Sequence, residues 1–322
     1  MKKIVDDIRM IYKCCSLYYE DGKNQQEICD YLGISRSTVS RMLKLGYELG
    51  IVKIEVINPV KFGYGEIEKA LQKKYKLKDI IVVHTNALDT KNDLIAYLNE
   101  EALTFLNNLF SNGDYIGVSM GHTLYNMTKI KKKFDDEKEL TFMPLIGGIS
   151  QNKINKDDIQ SNNVAQRFAK IFGGKYLQFL SPAVFSSKEV LDSFLMEKSV
   201  NYIFEYYKKL NTVIMGVGIP EREKSTLISN DYVTKEYMNE LIEKGVVGDV
   251  VLHFFDKDGN LELFNDFNDR VSAISMDMMK KVKNRVAIVN GEEKAEAVKA
   301  AIKGGFCNIL ITDVSCAEKL LE

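Results

Sequence analysis

Apolar runs of strand length alternate with segments of helical periodicity along most of this chain. Runs of this kind lie at 79–84, 115–119, 141–146, 212–217, 250–255, 285–289 and 308–312. Strands that are apolar on both faces are typical of parallel sheets, because crossover helices cover both faces of the sheet. The sequence therefore predicts a Rossmann-like α/β domain. The length of 322 residues suits two domains rather than one.

The N-terminal segment has a purely helical pattern. Helical spacing predicts a first helix over 4–19 with one apolar face, formed by Ile4, Ile8, Ile11, Cys15 and Tyr18 or Tyr19. A second helix is predicted over 25–32 and a third over 35–45, with Gly33 at the turn and Ser35 as N-cap. Alternation over 51–57 predicts a strand, and glycines over 60–65 indicate a linker. We place the domains at 1–59 and 60–322.

The spacing of residues 25–45 resembles the helix-turn-helix motif of bacterial regulators. Ile28, Leu32, Ile34, Val39 and Met42 fall where two such helices pack together, and Cys29 stands where alanine is common. The third helix presents short hydroxyls and cations without any acid, namely Ser35, Arg36, Ser37, Thr38, Ser40, Arg41 and Lys44. Hydroxyls suit phosphate oxygens and arginine can bridge guanine O6 and N7, so we predict binding to double-stranded operator DNA. The alternative is a helical hairpin with a solvated polar face.

Composition excludes several protein classes. The chain has 44 Lys and Arg against 45 Asp and Glu, a net charge of -1, so bulk basicity does not hold nucleic acid and no acidic tail is present. No apolar run approaches the roughly 18 residues of a membrane span, and Asp6 and Asp7 interrupt any signal peptide. The five cysteines and three histidines lack metal-site spacing. We expect a soluble cytoplasmic protein without membrane contact, metal or cofactor.

Glycine and polar residues follow several of the predicted strands. Ser119, Gly121 and Thr123 join one strand to a helix, and backbone N–H groups with hydroxyls beside them suit an anion. This loop is neither a Walker A loop nor a G-x-G-x-x-G fingerprint, which disfavours nucleotide binding. Parallel sheets bind ligands beyond the carboxyl ends of their strands. The repeated placement therefore predicts one shared pocket at that edge.

Taken in order, these segments resemble the SorC family of sugar-binding transcriptional regulators over nearly the whole chain. The matching stretches are I-G-V-S-M-G-H-T-L at 116–124, P-L-I-G-G at 144–148, G-V-V-G-D at 245–249, F-F-D-K-D-G at 254–259 and N-G-E-E-K at 290–294. The resemblance implies an effector domain related to sugar-phosphate isomerase and deaminase folds. It also implies a phosphorylated sugar effector and a homodimer or homotetramer on operator DNA. Asn268-Asp-Arg270 and the helix-turn-helix resemble regulators of deoxyribonucleoside catabolism, which makes deoxyribose 5-phosphate the candidate effector.

The resemblance also implies roles for individual residues. Ser119, Gly121, His122 and Thr123 would hold the phosphate, with Lys294 as counter-charge. Gly147, Gly148, Asp249 and Asp256 would shape the sugar end, and Asn162 and Gln166 are further effector-binding candidates. The chain departs from the family pattern at Met120, His122 and Asn290. Ile146 stands where a lysine would form an imine, so no covalent adduct is expected there.

Three functions remain to be weighed. The first is a DNA-binding regulator, a repressor controlled by a sugar phosphate. The second is a sugar-phosphate isomerase or deaminase, for which Asp249, Asp256 or His122 would be the base. No carboxylate pair or base-orienter pattern marks these residues, so we expect binding without turnover. The third is a structural oligomer, which leaves the acid-free third helix unexplained.

Overall fold

The computed structural model describes residues 7–54, 64–83, 90–134, 137–148, 159–221 and 226–322. The chain divides into two compact units, Met1–Lys61 and Phe62–Glu322. Each unit is described by itself. None of the helices in these ranges is long and apolar enough to cross a membrane.

The described part of the N-terminal unit is helical, and its local sequence explains where each helix begins and ends. The helices are α1 (Ile8–Tyr19), α2 (Gln25–Leu32) and α3 (Arg36–Glu48). Asn24 and Glu27 form a capping box at the start of α2, and Gly33 ends it with φ 65°. Ser35 caps α3 by accepting a hydrogen bond from the N–H of Thr38. The predicted turn and cap are therefore both confirmed.

Close packing of α1 against α3 sets the inner face of this unit. A Cβ on Gly46 would lie 2.3 Å from the Cys15 Sγ atom, so only glycine allows the approach. The buried residues of α1 are Ile11, Cys14, Cys15 and Leu17. The predicted apolar face is correct for Ile11 and Cys15 but wrong for Ile8, Tyr18 and Tyr19, which lie outside this buried stripe and are exposed. Ile4 lies outside the described residues.

The strand predicted over 51–57 is not formed in its described part. Residues 51–54 have no strand partner, and the N–H of Val52 instead donates to the carbonyl of Gly46. Residues 55–57 lie outside the described ranges, as do 60–63 of the predicted linker. The linker prediction is wrong for Gly65, which is the first residue of a helix.

The larger unit has a mainly parallel sheet with helices on both faces. Its strands are β1 (Asp79–Val83), β2 (Tyr115–Val118), β3 (Thr141–Pro144), β4 (Lys175–Tyr176), β5 (Thr212–Met215), β6 (Gly248–Val250), β7 (His253–Phe255), β8 (Asn284–Val289) and β9 (Ile309–Asp313). Its α-helices are α4 (Gly65–Tyr75), α5 (Lys91–Leu109), α6 (His122–Met127), α7 (Ser161–Ile171), α8 (Lys188–Leu195), α9 (Lys198–Tyr207), α10 (Thr226–Ser229), α11 (Lys235–Glu243), α12 (Asn265–Asn268), α13 (Met276–Lys281), α14 (Ala295–Lys303) and α15 (Val314–Leu321). Two 3₁₀ turns, Glu262–Phe264 and Glu292–Lys294, complete the described elements.

Seven strands form the sheet, in the order β1-β9-β8-β5-β2-β3-β4, and every pairing is parallel. The chain runs outward from β2 through β3 to β4 on one side, and outward from β5 through β8 to β9 on the other. The strand order thus reverses between β2 and β5. In a sheet of this type the crevice beyond the carboxyl ends of those two strands is the expected ligand site.

Strand side chains alternate between two hydrophobic cores, one on each face of the sheet. On β5, Val213 and Met215 join one core while Ile214 joins the other. The helices α5 and α7 cover the Ile214 face, and α14 and α15 cover the opposite face. Burial on both faces confirms the prediction made from the apolar strand runs.

The apolar run at 250–255 is an exception. It was predicted as one strand, but β6 and β7 form an antiparallel hairpin outside the main sheet. Val251 and Leu252 make the turn with φ of 52° and 61°, a backbone region usually taken by glycine or asparagine. Because both turn residues are apolar, the sequence pattern indicates no turn at this position.

Candidate functional site

A cavity of about 170 Å³ lies where the strand order reverses, beyond the ends of β2 and β5. Six of the predicted effector-binding residues line it: Ser119, Gly121, His122, Thr123, Asp249 and Lys294. The rest of its wall is formed by Met120, Gly216, Val217, Gly218, Ile219, Glu221, Thr226, Leu227, Val251 and Leu252. The structure therefore brings together residues that are far apart in the sequence.

The loop after β2 is held by backbone hydrogen bonds. The N–H of Ser119 donates to the carbonyl of Ile214 on the neighbouring β5, at 2.9 Å, and Ser119 is buried. Gly121 has φ 126°, and its N–H donates to the carbonyl of Ile159 at 3.1 Å. Positive φ at Gly121 turns the chain from strand to helix and leaves His122 exposed and Thr123 partly buried at the cavity wall.

Asp249 reaches the cavity from the hairpin formed by β6 and β7. Its backbone pairs with Gly218 in an isolated antiparallel bridge. A Cβ on Gly218 would lie 1.9 Å from the Asp249 Oδ1 atom, so the carboxylate occupies space that only glycine leaves. Burial raises the pKa of Asp249 to about 6, although the nearby Lys294 ammonium and the N–H of Leu252 favour the ionised form.

Lys294 is positioned by a buried anchor at the end of β9. The carboxylate of Asp313 accepts a hydrogen bond from the N–H of Gly291 at 2.8 Å and one from the N–H of Cys316 at 2.9 Å. This fixes the turn that carries Lys294, whose Nζ donates to the carbonyl of Val217 at 3.0 Å. The ammonium retains donors for a second acceptor in the cavity.

The cavity combines groups that suit an anionic polyol. The ammonium of Lys294 and the hydroxyls of Ser119 and Thr123 can donate to phosphate oxygens, while the carboxylate of Asp249 can accept from sugar hydroxyls. Glu221 and Thr226 add further polar groups that the sequence reasoning missed. Glu221 follows β5 and Thr226 is the first residue of α10. Nothing in the sequence pattern distinguishes either from ordinary surface residues.

Three of the predicted residues are absent from the lining of this cavity and form backbone contacts instead. Gly147 packs so closely on Ser181 and Pro182 that a Cβ would lie 2.7 Å from the carbonyl oxygen of Pro182. The side-chain amide of Asn162 donates to the carbonyls of Gly148 and Phe179, and its oxygen accepts from the N–H of Phe179. This pairing of Asn162 is structural.

Gln166 and Asp256 also lie away from the cavity. Gln166 is exposed on α7 and lines a separate groove. Asp256 follows β7, which is not part of the main sheet, and its Oδ1 accepts from the N–H groups of Asp258 and Asn260 to close a turn. Gln166 lies within α7, and Asp256 follows a strand of the separate hairpin. Neither position is at the edge of the main sheet where β2 and β5 end.

In the N-terminal unit, the predicted DNA-binding residues share the outer surface of α3. Ser35, Arg36, Ser37, Ser40, Arg41 and Lys44 are exposed and Thr38 is partly buried. The Ser35 hydroxyl is engaged with Ser37 and Thr38, at 2.9 and 2.8 Å. Lys44 lies 3.8 Å from Glu48 in an exposed ion pair. The two arginines are the strongest candidates for base contact, because neither has a described ion-pair partner.

Known proteins resemble both units. Residues 62–322 match the family model described as "Putative sugar-binding domain", and residues 13–45 match a homeodomain-like domain. The sorbitol operon regulator of Klebsiella pneumoniae is 27% identical over 98% of this chain and 99% of its own length. The deoxyribonucleoside regulator of Bacillus subtilis is 29% identical over 95% of each chain.

Solved structures agree with these matches. The crystal structure of the full-length sorbitol operon regulator SorC from Klebsiella pneumoniae has a TM-score of 0.73 at 26% identity, covering 98% of this chain and all of that one. A DeoR family transcriptional regulator from Listeria monocytogenes has a TM-score of 0.71 at 27% identity, covering 80% of this chain and 98% of its own. The helix-turn-helix, the sugar-binding domain and these relatives together show that the chain belongs to the SorC family of sugar-binding transcriptional regulators.

Proposed function

We propose that this chain represses a carbohydrate or nucleoside catabolic operon, and that a phosphorylated sugar in the cavity beyond β2 and β5 controls it. The observation that carries this proposal is the convergence of Lys294, Ser119, Thr123 and Asp249 at one cavity. Relatives named for a sorbitol operon and for deoxyribonucleosides support the operon class. Deoxyribose 5-phosphate is the candidate effector, since the cavity has groups that bind an anion and groups that bind hydroxyls, as a monophosphorylated sugar requires.

Control requires linkage between the two sites. The effector changes operator binding only if it binds the DNA-competent and incompetent assemblies with different affinity. We propose a homodimer or homotetramer, whose paired α3 helices would reach half-sites about one helical turn apart. A change in the orientation of the subunits would then alter the spacing of these helices and release the operator.

A thermal-shift screen tests the effector class. We expect deoxyribose 5-phosphate or a related sugar phosphate to raise the unfolding temperature, because a ligand that binds only the native state stabilises it by mass action. The unphosphorylated sugars should have little effect. Lys294→Gln should weaken binding about 10- to 100-fold, the value of one hydrogen bond to a charged group. Equal shifts from phosphorylated and free sugars would refute a phosphate site.

Operator binding is tested with DNA selected from a random library by the wild-type chain. Arg36→Gln or Arg41→Gln should each weaken binding about 5- to 100-fold, in line with the loss of one bidentate base contact. Arg9→Gln is the matched control, because Arg9 is also an exposed arginine of the N-terminal unit but lies on α1. Sugar-phosphate binding should be unchanged in all three. Normal operator binding by both α3 variants would show that α3 does not read DNA.

We further propose that the cavity binds without turnover. Asp249 has the raised pKa of a possible base, but its described interactions are with Lys294 and the N–H of Leu252. His122 also lines the cavity, but it is exposed and no described hydrogen bond orients its ring. Incubation with pentose and hexose phosphates should therefore give no product, and multiple turnovers would establish the isomerase or deaminase alternative.

A further inference from the structure

A second concave site lies on the larger unit, in a groove of about 750 Å³ beside α7. None of its lining residues lines the cavity beyond β2 and β5. It is formed by Thr128, Ile130, Lys131, Lys132, Lys133, Asn163, Gln166, Arg167, Lys170 and Ile171. The effector cavity proposed above does not include this groove.

The groove is strongly basic. Lys131, Lys132 and Lys133 follow α6, while Arg167 and Lys170 lie one turn apart on α7. No carboxylate is among the described residues that line it. Because the whole chain has a net charge of -1, this concentration of cations is local and does not reflect overall basicity.

Two of the cations are held in place by the protein. The Arg167 Nε atom donates to the Asn163 side chain at 3.3 Å, and the guanidinium lies over the Tyr125 ring at 5.2 Å. Lys132 Nζ donates to the Thr104 hydroxyl at 2.8 Å. The other three lysines are exposed at the rim. The groove therefore has a fixed floor with exposed cations around it, an arrangement that a row of phosphates can engage.

We propose that this groove binds the phosphate backbone of double-stranded DNA. Like charges placed together destabilise the fold, and a polyanion removes that cost. Backbone contacts position a protein on DNA and carry no sequence information, which suits lysines on flexible stems. The exposed amide of Gln166 can add a hydrogen bond to a phosphate oxygen. The larger unit thus contributes to affinity without contributing to base readout.

The test compares two triple variants of the full chain. The groove variant is Lys131→Gln/Lys133→Gln/Lys170→Gln, which leaves the hydrogen-bonded Lys132 and Arg167 intact. The control variant is Lys244→Gln/Lys257→Gln/Lys281→Gln, which removes the same charge from three exposed lysines outside the groove. Binding to a fluorescein-labelled 30-base-pair duplex of mixed sequence is measured by anisotropy from 25 to 200 mM KCl.

Each lost phosphate contact should reduce the slope of log affinity against log salt by about 0.9. We expect the groove variant to lose up to about 2.7 from this slope and to bind at least about 10-fold more weakly at low salt, with the control close to wild type. A single Lys170→Glu variant should show the same direction if the triple variant expresses poorly. Equal slopes for the groove and control variants would overturn the proposal.

A second arm identifies a small-anion site. Inorganic tripolyphosphate is added to each protein without DNA, and unfolding temperatures are compared. If tripolyphosphate stabilises the wild type but not the groove variant, while the DNA slopes of both are equal, the groove binds small anions and the DNA proposal is wrong. Stabilisation together with a reduced DNA slope supports the proposal, since both report phosphate in the same groove.

Discussion

Replacing Asp249 with asparagine should stabilise the larger unit at neutral pH while weakening ligand binding. Burial raises the pKa of this carboxyl from 3.8 to about 6, and the Lys294 ammonium and the N–H of Leu252 offset only part of that effect. The native protein must therefore keep a charge in a place that disfavours it. Asparagine has a similar shape and retains an oxygen that can accept from Leu252.

The sign of the pH dependence follows from proton binding. Between pH 3.8 and about 6 the native protein binds more protons at Asp249 than the unfolded chain does. The contribution of Asp249 to the free energy of unfolding therefore falls as pH rises through this interval. One pKa unit corresponds to about 1.4 kcal/mol, so the ionised carboxylate costs up to about 3 kcal/mol above pH 6.5.

Urea unfolding, followed by circular dichroism from pH 4 to pH 7.5, measures this effect. The difference in stability between Asp249→Asn and wild type should grow in favour of the variant by about 2 kcal/mol from pH 4 to pH 7, since the rest of the effect lies below pH 4. Titratable groups that both proteins share contribute equally to the two free energies of unfolding, so their contributions cancel in this difference.

Asp256→Asn is a control with the opposite sign. Burial raises the pKa of Asp256, but hydrogen bonds from Asn260, Asp258 and Gly259 outweigh it, so the net pKa is lowered. The stability of Asp256→Asn relative to wild type should therefore fall as pH rises. A difference for Asp249→Asn that is flat, or that falls with pH, would refute the electrostatic description of the cavity.

Two further substitutions test close contacts. Gly218→Ala should weaken sugar-phosphate binding at least about 10-fold, because its Cβ would displace the Asp249 carboxylate, a charged hydrogen-bonding group. Gly216→Ala is the matched control in the same calorimetric titration, because Gly216 also lies in the cavity wall but its Cβ would lie 4.0 Å from the nearest neighbour, the carbonyl oxygen of Ile288. Gly46→Ala should lower the stability of the N-terminal unit by about 1–3 kcal/mol through overpacking against Cys15. In a Cys15→Ala background, Gly46→Ala should instead stabilise the unit by up to about 1 kcal/mol through helix propensity. If Gly46→Ala still lowered the unfolding temperature in that background, overpacking against Cys15 would not be the cause.

The parallel sheet was predictable because the residues of each strand indicate a strand independently of the rest of the chain. Ile214 and Met215 are buried on opposite faces, and a run of such residues predicts a covered strand whatever its neighbours are. The hairpin turn at Val251 and Leu252 was not predictable, since its two positive φ values are imposed by the surrounding packing rather than by residue type. Local patterns thus predict elements well and predict their tertiary pairing poorly.

The candidate site was predictable to the extent that it depends on strand ends. Ser119 follows β2 and lies at the reversal point, so reading polar residues after strands placed it correctly in the cavity. Gly147 satisfies the same rule after β3 but lies elsewhere, because β3 is on the outer side of β2. The order of strands is a long-range property, and residue spacing within one segment carries no information about it.

The cavity and the groove share a physical property that distinguishes them from the rest of the fold. At Asp249 the chain keeps a charge that burial disfavours, in a space that exists only because residue 218 has no side chain. Around Lys131 and Lys170 it gathers cations that repel one another. Neither arrangement helps the protein to fold, and a domain held together only by its two cores would be more stable without them. The ligands proposed above would supply the missing partners, a sugar phosphate in the cavity and a phosphate backbone in the groove. Removing the charge at Asp249 or the cations of the groove should therefore raise the stability of the protein and weaken binding of the corresponding ligand. The Asp249 and groove variants measure both quantities.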